Sequence, residues 1–270
     1  MRPTFHFKAC GVIAPTPKIL HVKRFLFMRV LQIKTLSQLF SIDELLADYI
    51  SDKHPKLANK LTYLPDPTEP PLNLDNSELR QRYNIPQNAK VILIYGAIDE
   101  RKWIFNLLDT LESSKDLEDW HALVVGRQSS TVREAFSTTR WTNLKQANRI
   151  HAMDKFVTDE VEHHVLAMCD VVWVAYAGHY TMSGVIVRAG MYRKPVIACE
   201  DGLIGWYARV KGVGITVNSR VQILPEVISS LDNNIVAFKM GECGENQFSK
   251  NTWSNATATI LLISKLCLHD

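Results

Sequence analysis

Residues 171–217 read VVWVAYAGHYTMSGVIVRAGMYRKPVIACEDGLIGWYARVKGVGITV, and this stretch decides the fold. The apolar, β-branched and aromatic residues at its beginning predict a buried strand. Ser183 and Gly184 are residue types that start helices, and Pro195 ends that helix before a second buried strand. The order of strand, loop, helix, strand, glycine loop, helix and strand is typical of parallel β-α units, which bind ligands where their strands end.

The same alternation of strands and helices extends back to residue 90, and no hairpin turn joins two of the strands. Strands are predicted at residues 90–95, 120–125, 149–152, 171–175 and 196–199. Helices are predicted between them at residues 103–111, 131–136 and 158–168. We therefore expect an α/β protein with a doubly wound, Rossmann-like parallel sheet and right-handed crossovers.

The chain before this region is less regular. Ser41 is followed three residues later by Glu, a capping-box pattern that predicts a helix over residues 42–50. A short strand is predicted at residues 60–64, and the Pro- and Asn-rich residues 68–76 are typical of a linker. Ser77 is then predicted to cap a further short helix.

Two segments near the ends of the chain are rich in large apolar residues. A last helix is predicted over residues 248–266, with Trp253 and the Ile-Leu-Leu-Ile run buried. Residues 19–33 mix basic and large apolar side chains and allow two interpretations. They pack into a core as a strand and a helix, or they lie on an anionic membrane surface.

The composition limits the class of protein. The 270 residues are 46% hydrophobic and 22% charged, which is ordinary for a globular chain of one large or two small domains. A net charge of +3 is too small to indicate a nucleic-acid partner. The five cysteines lack metal-ligand spacing and indicate free thiols in a reducing cytoplasm. No apolar run approaches the roughly 20 residues of a spanning helix, and the first residues lack the features of a signal peptide.

Residues 171–217 resemble the donor-binding half of GT-B glycosyltransferases of the large, retaining group 1 family. The matching segments are residues 183–189, 194–198 and 202–205. The resemblance extends more loosely over residues 35–266, and it implies a GT-B-like fold for the chain.

The resemblance implies that the chain is divided into three parts. Residues 1–66 correspond to a partial N-terminal, acceptor-side α/β segment, which is far shorter than in the family. Residues 67–247 correspond to the Rossmann-like domain that binds the nucleotide-sugar donor. Residues 248–270 correspond to a C-terminal helix that packs back toward the N-terminal segment.

Lys102 is the leading candidate for a catalytic residue. It follows the first strand of the larger domain, and a lysine at the carboxyl end of a parallel strand is placed to neutralise a phosphate. Gly96 and Lys102 match the family's Gly-x-x-x-x-x-Lys spacing, which implies a contact with the donor diphosphate. The family often has Arg directly after the glycine. Ala97 stands there in this chain, and Arg101 is a candidate for the missing charge. From the residues alone, a solvated cluster of loop charges is the alternative.

The helix start at Ser183 and Gly184 is the second candidate. Its first amides lack partners inside the helix and can hold an anion, while an ordinary N-cap is the alternative. The family commonly has a Glu, seven residues and a second Glu around this helix start, and those positions are Tyr180 and Arg188 here. Both carboxylates are therefore absent, and His179 is a candidate substitute as a hydrogen-bond partner of the sugar.

Together these observations define one set of candidate residues. Glycines enter the set because they follow strands, where a missing side chain lets a ligand approach the backbone. The catalytic candidates are Lys102 and His179. The donor-binding candidates are Gly96, Arg101, Gly126, Tyr180, Ser183, Gly184, Arg188, Gly202 and Gly205. No metal ligands are predicted.

The resemblance implies a hexosyltransferase that moves a sugar from a nucleotide-diphosphate sugar to a glycan or lipid-linked acceptor in polysaccharide biosynthesis. It implies no metal and no other cofactor. We expect a cytoplasmic protein, and we leave open an association with the inner face of the membrane and a partner chain that completes the first domain. The alternative is a truncated or non-catalytic GT-B relative that acts as a nucleotide-binding or scaffold subunit. The missing carboxylates and the short first segment favour this alternative.

Overall fold

The computed structural model describes residues 18–218, 222–223 and 225–267, with side chains from residue 25 to residue 263 within those ranges. The first 17 residues of the predicted N-terminal segment lie outside the described residues. The chain begins with a small α/β unit whose two strands, β1 and β2, pair in parallel. The elements of this part are α1 (Lys18–Leu31), β1 (Leu39–Ser41), α2 (Glu44–Lys53), β2 (Leu61–Tyr63) and α3 (Asn76–Arg82).

The larger sheet has six parallel strands in the order β5-β4-β3-β6-β7-β8. These strands are β3 (Lys90–Tyr95), β4 (Trp120–Val125), β5 (Ile150–Met153), β6 (Val171–Val174), β7 (Val196–Cys199) and β8 (Gly214–Val217). Relative to the first strand of this sheet, the order is the 3-2-1-4-5-6 arrangement of doubly wound folds. The order reverses between β3 and β6, and ligands bind at such a reversal, outside the carboxyl ends of the strands.

Helices cover both faces of the larger sheet. They are α4 (Ile104–Ser113), α5 (Ser130–Ser137), α6 (Thr142–Gln146), α7 (Asp159–Met168), α8 (Gly184–Met191), α9 (Gly202–Val210), α10 (Pro225–Ser229), α11 (Asn234–Phe248) and α12 (Trp253–Cys267). Along β3, Val91 and Leu93 pack into the core that α7, α8 and α9 share. Ile92 and Ile94 pack into the core on the other face, with α4 and α6. This alternation explains why the strands are apolar at every position.

The predicted α/β class and the five predicted strands of the larger sheet are confirmed, with bounds that differ by at most one residue. The strand predicted at the end of residues 171–217 is confirmed as well: it is β8, the edge strand beside β7. All six strands lie between residues 67 and 247, while the division of the chain into domains stays a prediction.

Two predicted helix caps were wrong. Asp43, not Ser41, caps α2, and its carboxylate accepts a hydrogen bond of 3.2 Å from the Leu46 amide. Ser41 is instead the last residue of β1, and its hydroxyl accepts from the Asp43 amide at 3.1 Å. Asp75, not Ser77, caps α3 and accepts from the Ser77 amide at 2.8 Å. In both cases an Asp stands where the backbone is extended just before the helix, and its side chain reaches the free amides.

The single helix predicted over residues 248–266 was also wrong. Helix α11 ends at buried Phe248, and α12 begins at Trp253. The residues between the two helices are hydrogen-bonded to the linker: Asn251 O accepts from the Thr68 amide at 2.8 Å. Because α12 then lies at the surface, Trp253 is 57% exposed. Leu261 and Leu262 of the predicted buried run are exposed as well.

The stretch around Gly202 differs from its predicted loop, because α9 begins at that glycine. Near the N-terminus, residues 19–31 lie in helix α1, which has two unlike sides, and the strand predicted within residues 19–33 is not formed. One side of α1 packs with Leu31 against Leu46 and Ile50 of α2, while Phe25 on the other side is 62% exposed. Within the described residues, no helix is both long enough and apolar enough to cross a membrane.

Helix α8, which carries the predicted site residues, is packed closely against α11 through glycine. A Cβ atom on Gly190 would lie 2.8 Å from Gly244 O, and one on Gly244 would lie 2.9 Å from Gly190 Cα. Both distances are too short for a methyl group beside a backbone atom. The absence of side chains at these two positions therefore sets the separation of the helices.

Buried Arg80 joins α3 to the amino end of the larger sheet. Its guanidinium donates to Met168 O, Gln87 O and Ala89 O at 2.8 to 3.2 Å, and to Asp170 Oδ2 at 2.8 Å. The Asp170 carboxylate also accepts from the Val91 amide at 2.7 Å. One side chain therefore satisfies three backbone carbonyls and one carboxylate in a nearly dry environment.

We expect Gly244→Ala to destabilise the protein by about 1–3 kcal/mol, because α8 and α11 must separate to admit the methyl group. Helix propensity alone predicts the opposite sign, since Ala is favoured over Gly by about 1 kcal/mol. Urea unfolding measures the change as a shift of the midpoint at constant slope. Asn246→Ala, at an exposed position of the same helix, is the matched control and should be neutral. A midpoint for Gly244→Ala at or above that of the wild type would contradict this account of the packing.

We expect Arg80→Met to destabilise the protein by about 3–5 kcal/mol, because it leaves buried carbonyls and Asp170 without their donor. Arg82→Met is the control on the same helix. Arg82 is largely exposed, its distance to Glu160 is 4.0 Å, and its removal should change stability by less than about 1 kcal/mol. Equal unfolding midpoints for the two variants would contradict the conclusion that the buried hydrogen bonds of Arg80 stabilise the fold.

Candidate functional site

Lys102 lies between the carboxyl ends of β3 and β6, where the strand order of the sheet reverses. A short 3-10 helix, Glu100–Lys102, follows β3 and turns this side chain inward. The Lys102 Nζ atom donates to Tyr95 O at 2.7 Å and to Tyr176 Oη at 3.0 Å. Only 9% of the residue is exposed, so the interpretation of Lys102 as a solvated loop charge was wrong.

Burial weakens the positive charge of Lys102. Desolvation lowers the pKa of its ammonium group to about 8, and nearby Arg101 adds to this effect, while Asp99 opposes it. The Arg101 guanidinium itself points outward and bonds Asp99 Oδ2 at 2.6 Å, with 76% of its side chain exposed. Lys102 is therefore the buried cation of this loop, and Arg101 is a surface charge held by Asp99.

Backbone contacts fix the Lys102 loop against the end of β6. The Ala177 amide donates to Arg101 O at 2.7 Å. The indole of Trp173, on β6, donates to Lys102 O at 2.6 Å. Both bonds hold the backbone of the loop against the end of β6. The fixed backbone in turn determines the direction in which the Lys102 side chain points.

Tyr176 joins several of the predicted residues and was missed by the sequence analysis. Its ring centroid lies 4.2 Å from Lys102 Nζ and 5.6 Å from the imidazole of His179, which stands edge-on to it. The tyrosine is buried, which raises its pKa, while a hydrogen bond with Ser183 opposes that shift. The one signal in the sequence was its place directly after the predicted strand that ends at the reversal.

His179 lies in the loop between β6 and α8 and is half-buried. Its Nε2 atom is 3.4 Å from Met182 O and 3.3 Å from Thr181 Oγ1. Burial lowers its pKa, and the charges of Arg101 and Lys102 lower it further. The imidazole is consequently neutral at pH 7 and offers one donor and one acceptor.

The start of α8 faces the same region. Ser183 is the N-cap, and its hydroxyl oxygen accepts from the Val185 amide at 3.3 Å. A side chain on Gly184 would meet Arg188 Nη1 at 3.2 Å and Asp66 Oδ2 at 3.4 Å. The first turn of α8 is therefore bordered by one cationic and one anionic side chain.

Arg188 forms an ion pair with Glu162 of α7. The same carboxylate accepts a hydrogen bond from the hydroxyl of Tyr95, at the end of β3. The Glu162 carboxylate, on the neighbouring helix α7, therefore neutralises the charge of the Arg188 guanidinium. Neither Glu162 nor Asp66 was singled out by the sequence analysis.

The predicted glycines hold the loops at this edge of the sheet. Gly126 has φ +139°, and a Cβ there would lie 1.8 Å from Gly96 O, so the loops after β3 and β4 touch through backbone. Gly202 has φ +78°, and a Cβ there would lie 2.6 Å from Tyr180 Cα. The Leu203 amide donates to Tyr180 O at 3.0 Å, which ties the loop before α8 to the start of α9. Gly205 lies in the first turn of α9, against Cys199 O.

The structure brings together some of the predicted site residues and separates others. Lys102, His179 and Ser183 all contact Tyr176, and a Cβ on Gly96 would lie 3.9 Å from Lys102 Nζ. Arg101 faces outward, and Arg188 is engaged by Glu162. Across the described part of the chain, no three or more His, Cys, Asp or Glu side chains group closely enough to hold a metal ion.

Comparisons with known proteins were informative only at the level of structure. No protein-family model matches the sequence, and no curated protein matches it. A glycosyltransferase from Rickettsia africae has a TM-score of 0.69 and 18% identity, over 95% of this chain and 69% of that chain. WaaG, a glycosyltransferase involved in lipopolysaccharide biosynthesis, has a TM-score of 0.64 and 18% identity, over 92% of this chain and 68% of that chain.

HepE from Anabaena, solved in complex with UDP, has a TM-score of 0.64 and 17% identity, over 87% of this chain and 64% of that chain. At such low identity, these similarities show the fold. The fold class predicted from residues 171–217 is therefore confirmed: the chain has the fold of GT-B glycosyltransferases. It spans about two thirds of the length of these structures.

We expect the Lys102 ammonium to titrate near pH 8, far below an ordinary lysine. Since its pKa in the folded state lies below the ordinary lysine value of 10.5, the folded state binds fewer protons than the unfolded state at pH values between the two. Its burial therefore costs stability below about pH 8, and this cost disappears as the pH rises toward 10.5. The Cε chemical shift in 13C-lysine-labelled protein reports the titration, and its absence in Lys102→Met assigns the signal. A midpoint above about pH 10 would contradict the desolvation of this group.

Proposed function

We propose that the chain binds a nucleotide-diphosphate sugar and transfers the sugar to an acceptor. The observation that carries this proposal is the buried ammonium of Lys102 at the reversal of the strand order, beside the start of α8. Breaking a bond between sugar and diphosphate leaves negative charge on the diphosphate. A preorganised cation and free helix amides stabilise that charge more strongly in a dry site than water does.

The structural neighbours support a nucleotide sugar as the donor. WaaG and the Rickettsia protein are glycosyltransferases, and HepE has been solved with UDP and with UDP-glucose. We propose residues 67–247 as the donor-binding part, and a glycan or lipid-linked molecule as the acceptor. In this proposal Lys102 neutralises the leaving diphosphate, so the reaction takes no metal or other cofactor.

His179 is the second proposed catalytic residue. Its ring packs edge-on against Tyr176, which places it next to Lys102 on the loop before α8. A neutral imidazole can bond a sugar hydroxyl without adding a charge beside the lysine. We therefore propose that His179 orients the donor sugar, and that Ser183 and Gly184 hold the phosphates through backbone amides.

A second candidate function is nucleotide binding without transfer. The observation that favours it is the pairing of Arg188 with Glu162, at a helix where the resemblance implies a free carboxylate. In this reading the diphosphate is held, and no group supports the sugar as its bond breaks. The two candidates share the donor site and differ in turnover.

Thermal unfolding with UDP, GDP and ADP tests the donor site. A nucleotide that binds only the folded state, at a hundredfold excess over its Kd, raises stability by about 2.7 kcal/mol. We expect one of the three to raise the Tm of the wild type. We expect Lys102→Met to weaken its affinity roughly 10- to 100-fold, because a charge-assisted bond to phosphate is lost.

Lys115→Met is the matched control, since Lys115 is an exposed lysine just before the amino end of β4. This variant should bind the nucleotide as the wild type does. If none of the three nucleotides raises the Tm of the wild type, the proposed donor site is contradicted. Where a nucleotide binds, slow hydrolysis of the matching sugar donor separates the two candidates: release of free sugar supports the transferase, and its absence supports the binding subunit.

A further inference from the structure

We infer that Asp66 and Arg188 together bind one hydroxyl group of the nucleotide-sugar donor, beside the start of α8. The inference rests on the proposed function and adds to it a carboxylate from outside the larger sheet, which neither the sequence pattern nor the structural neighbours assign to the site. It follows from two opposite charges that face the same glycine and do not pair with each other.

The space in question lies beside Gly184, the first residue of α8. A Cβ atom at this position would lie 3.2 Å from Arg188 Nη1 and 3.4 Å from Asp66 Oδ2. A guanidinium and a carboxylate therefore flank one small space, which the glycine leaves open. Although their charges are opposite, Asp66 and Arg188 form no ion pair with each other, and the ion pair of Arg188 is made with Glu162.

The backbone of Asp66, rather than its carboxylate, holds this residue in place. Asn251 Nδ2 donates to Asp66 O at 3.1 Å, and Asn251 O accepts from the Thr68 amide at 2.8 Å. Asn251 is buried and follows α11, which is packed on α8 through two glycines. The position of Asp66 relative to α8 is therefore fixed, while its carboxylate forms no ion pair with any residue that the structure describes.

Arg188 presents a donor to the same space. A guanidinium has five N–H donors in a rigid plane and accepts no hydrogen bonds. Glu162 lies against the Nε atom of Arg188, whereas Nη1 is the atom that faces Gly184. One third of the arginine side chain is exposed, at 34%, so a ligand can reach it. The charge of Arg188 is thus neutralised on one side, and a donor remains on the other.

These two side chains select the chemistry of the group that binds between them. An ionised carboxylate only accepts hydrogen bonds, and a guanidinium only donates them. A hydroxyl group can donate to Asp66 and accept from Arg188 with a single oxygen atom. A phosphate oxygen is repelled by Asp66, and an ammonium group is repelled by Arg188. The pair therefore fits a neutral hydroxyl, which a nucleotide sugar carries both on its ribose and on the transferred sugar.

This hydroxyl site is compatible with a diphosphate at the same helix. The free amides of a helix start point along the helix axis, whereas a Cβ position lies at the side of the helix. The amides of Ser183 and Gly184 and the space between Asp66 and Arg188 therefore face different directions. One donor molecule can place its phosphates at the amides and a nearby hydroxyl at the side.

Calorimetric titration of the wild type and Asp66→Asn tests the inference. The probes are whichever of UDP, GDP and ADP stabilises the wild type best, its 2′-deoxy and 3′-deoxy forms, its tightest-binding hexose ester, and inorganic diphosphate. We expect Asp66→Asn to bind the hexose ester roughly 10- to 100-fold more weakly, as for a lost hydrogen bond to a charged group. We expect its affinity for inorganic diphosphate, which has no sugar hydroxyl, to be unchanged or raised.

The same titrations identify the source of the hydroxyl. If it belongs to the ribose, Asp66→Asn weakens the nucleoside diphosphate by the same factor as the hexose ester, and one deoxy form is insensitive to the substitution. If it belongs to the transferred sugar, only the hexose ester is weakened. In either case the effects of removing the hydroxyl and of removing the charge are not additive, because both remove one interaction.

Two further variants control for folding and for charge. Glu69→Gln removes an exposed carboxylate from the same linker, and it should bind every probe as the wild type does. Gly184→Ala fills the space with a methyl group and should cause a similar loss for the hexose ester, to which Asp66→Asn adds little. Since Ala is favoured over Gly in a helix, this variant keeps the test intact if Asp66→Asn does not fold.

The outcomes distinguish this inference from the proposed function. If the wild type binds none of the nucleotides, both are overturned. If Lys102→Met weakens nucleotide binding and Asp66→Asn binds every probe as the wild type does, the donor site stands and the hydroxyl site is overturned. An equal loss for inorganic diphosphate and the hexose ester would also overturn it, because Asp66 would then act on the phosphates.

Discussion

Burial of one ammonium group between two strand ends is the constraint on which the site depends. Lys102 loses most of its water, so its donors need protein acceptors. Those acceptors are Tyr95 O, at the end of β3, and Tyr176 Oη, just beyond β6. These are the two strands between which the sheet order reverses. The lysine is thereby held where the crevice of a doubly wound sheet opens, and its burial there lowers the pKa of its ammonium group.

Contacts between backbones keep the surroundings of that lysine in place. The loops after β3 and β4 touch at Gly96 and Gly126, and helix α8 meets α11 at Gly190 and Gly244. Such contacts leave no room for a side chain, so they set distances more sharply than the packing of flexible side chains does. The helix start at Ser183 consequently has a defined position relative to Lys102, and hydrogen bonds of Tyr176 connect the two.

The charges around α8 distinguish this chain from the pattern that its fold resembles. Where that pattern has a carboxylate, this chain has Arg188, and Glu162 from α7 neutralises it. A carboxylate is thus present near the helix, but Arg188 and the Tyr95 hydroxyl already occupy it. The buried positive charge at this edge of the sheet is that of Lys102. This arrangement suits a diphosphate, and it is the physical reason why nucleotide binding and sugar transfer must be measured separately.

The sequence by itself determined the strands, the class of fold and the location of the lysine, because apolar runs, their spacing and the loop after a strand are local properties. Strand β3 and the Ser183 helix start were predicted correctly from such patterns. Only the tertiary structure decided that Asp43 caps α2, that residues 249–252 interrupt the last helix, and that Glu162 pairs with Arg188. It also decided that Tyr176, rather than a predicted residue, connects the site. Each of these depends on which competing donor, acceptor or distant segment comes close in the folded chain, and local patterns in the sequence do not fix that choice.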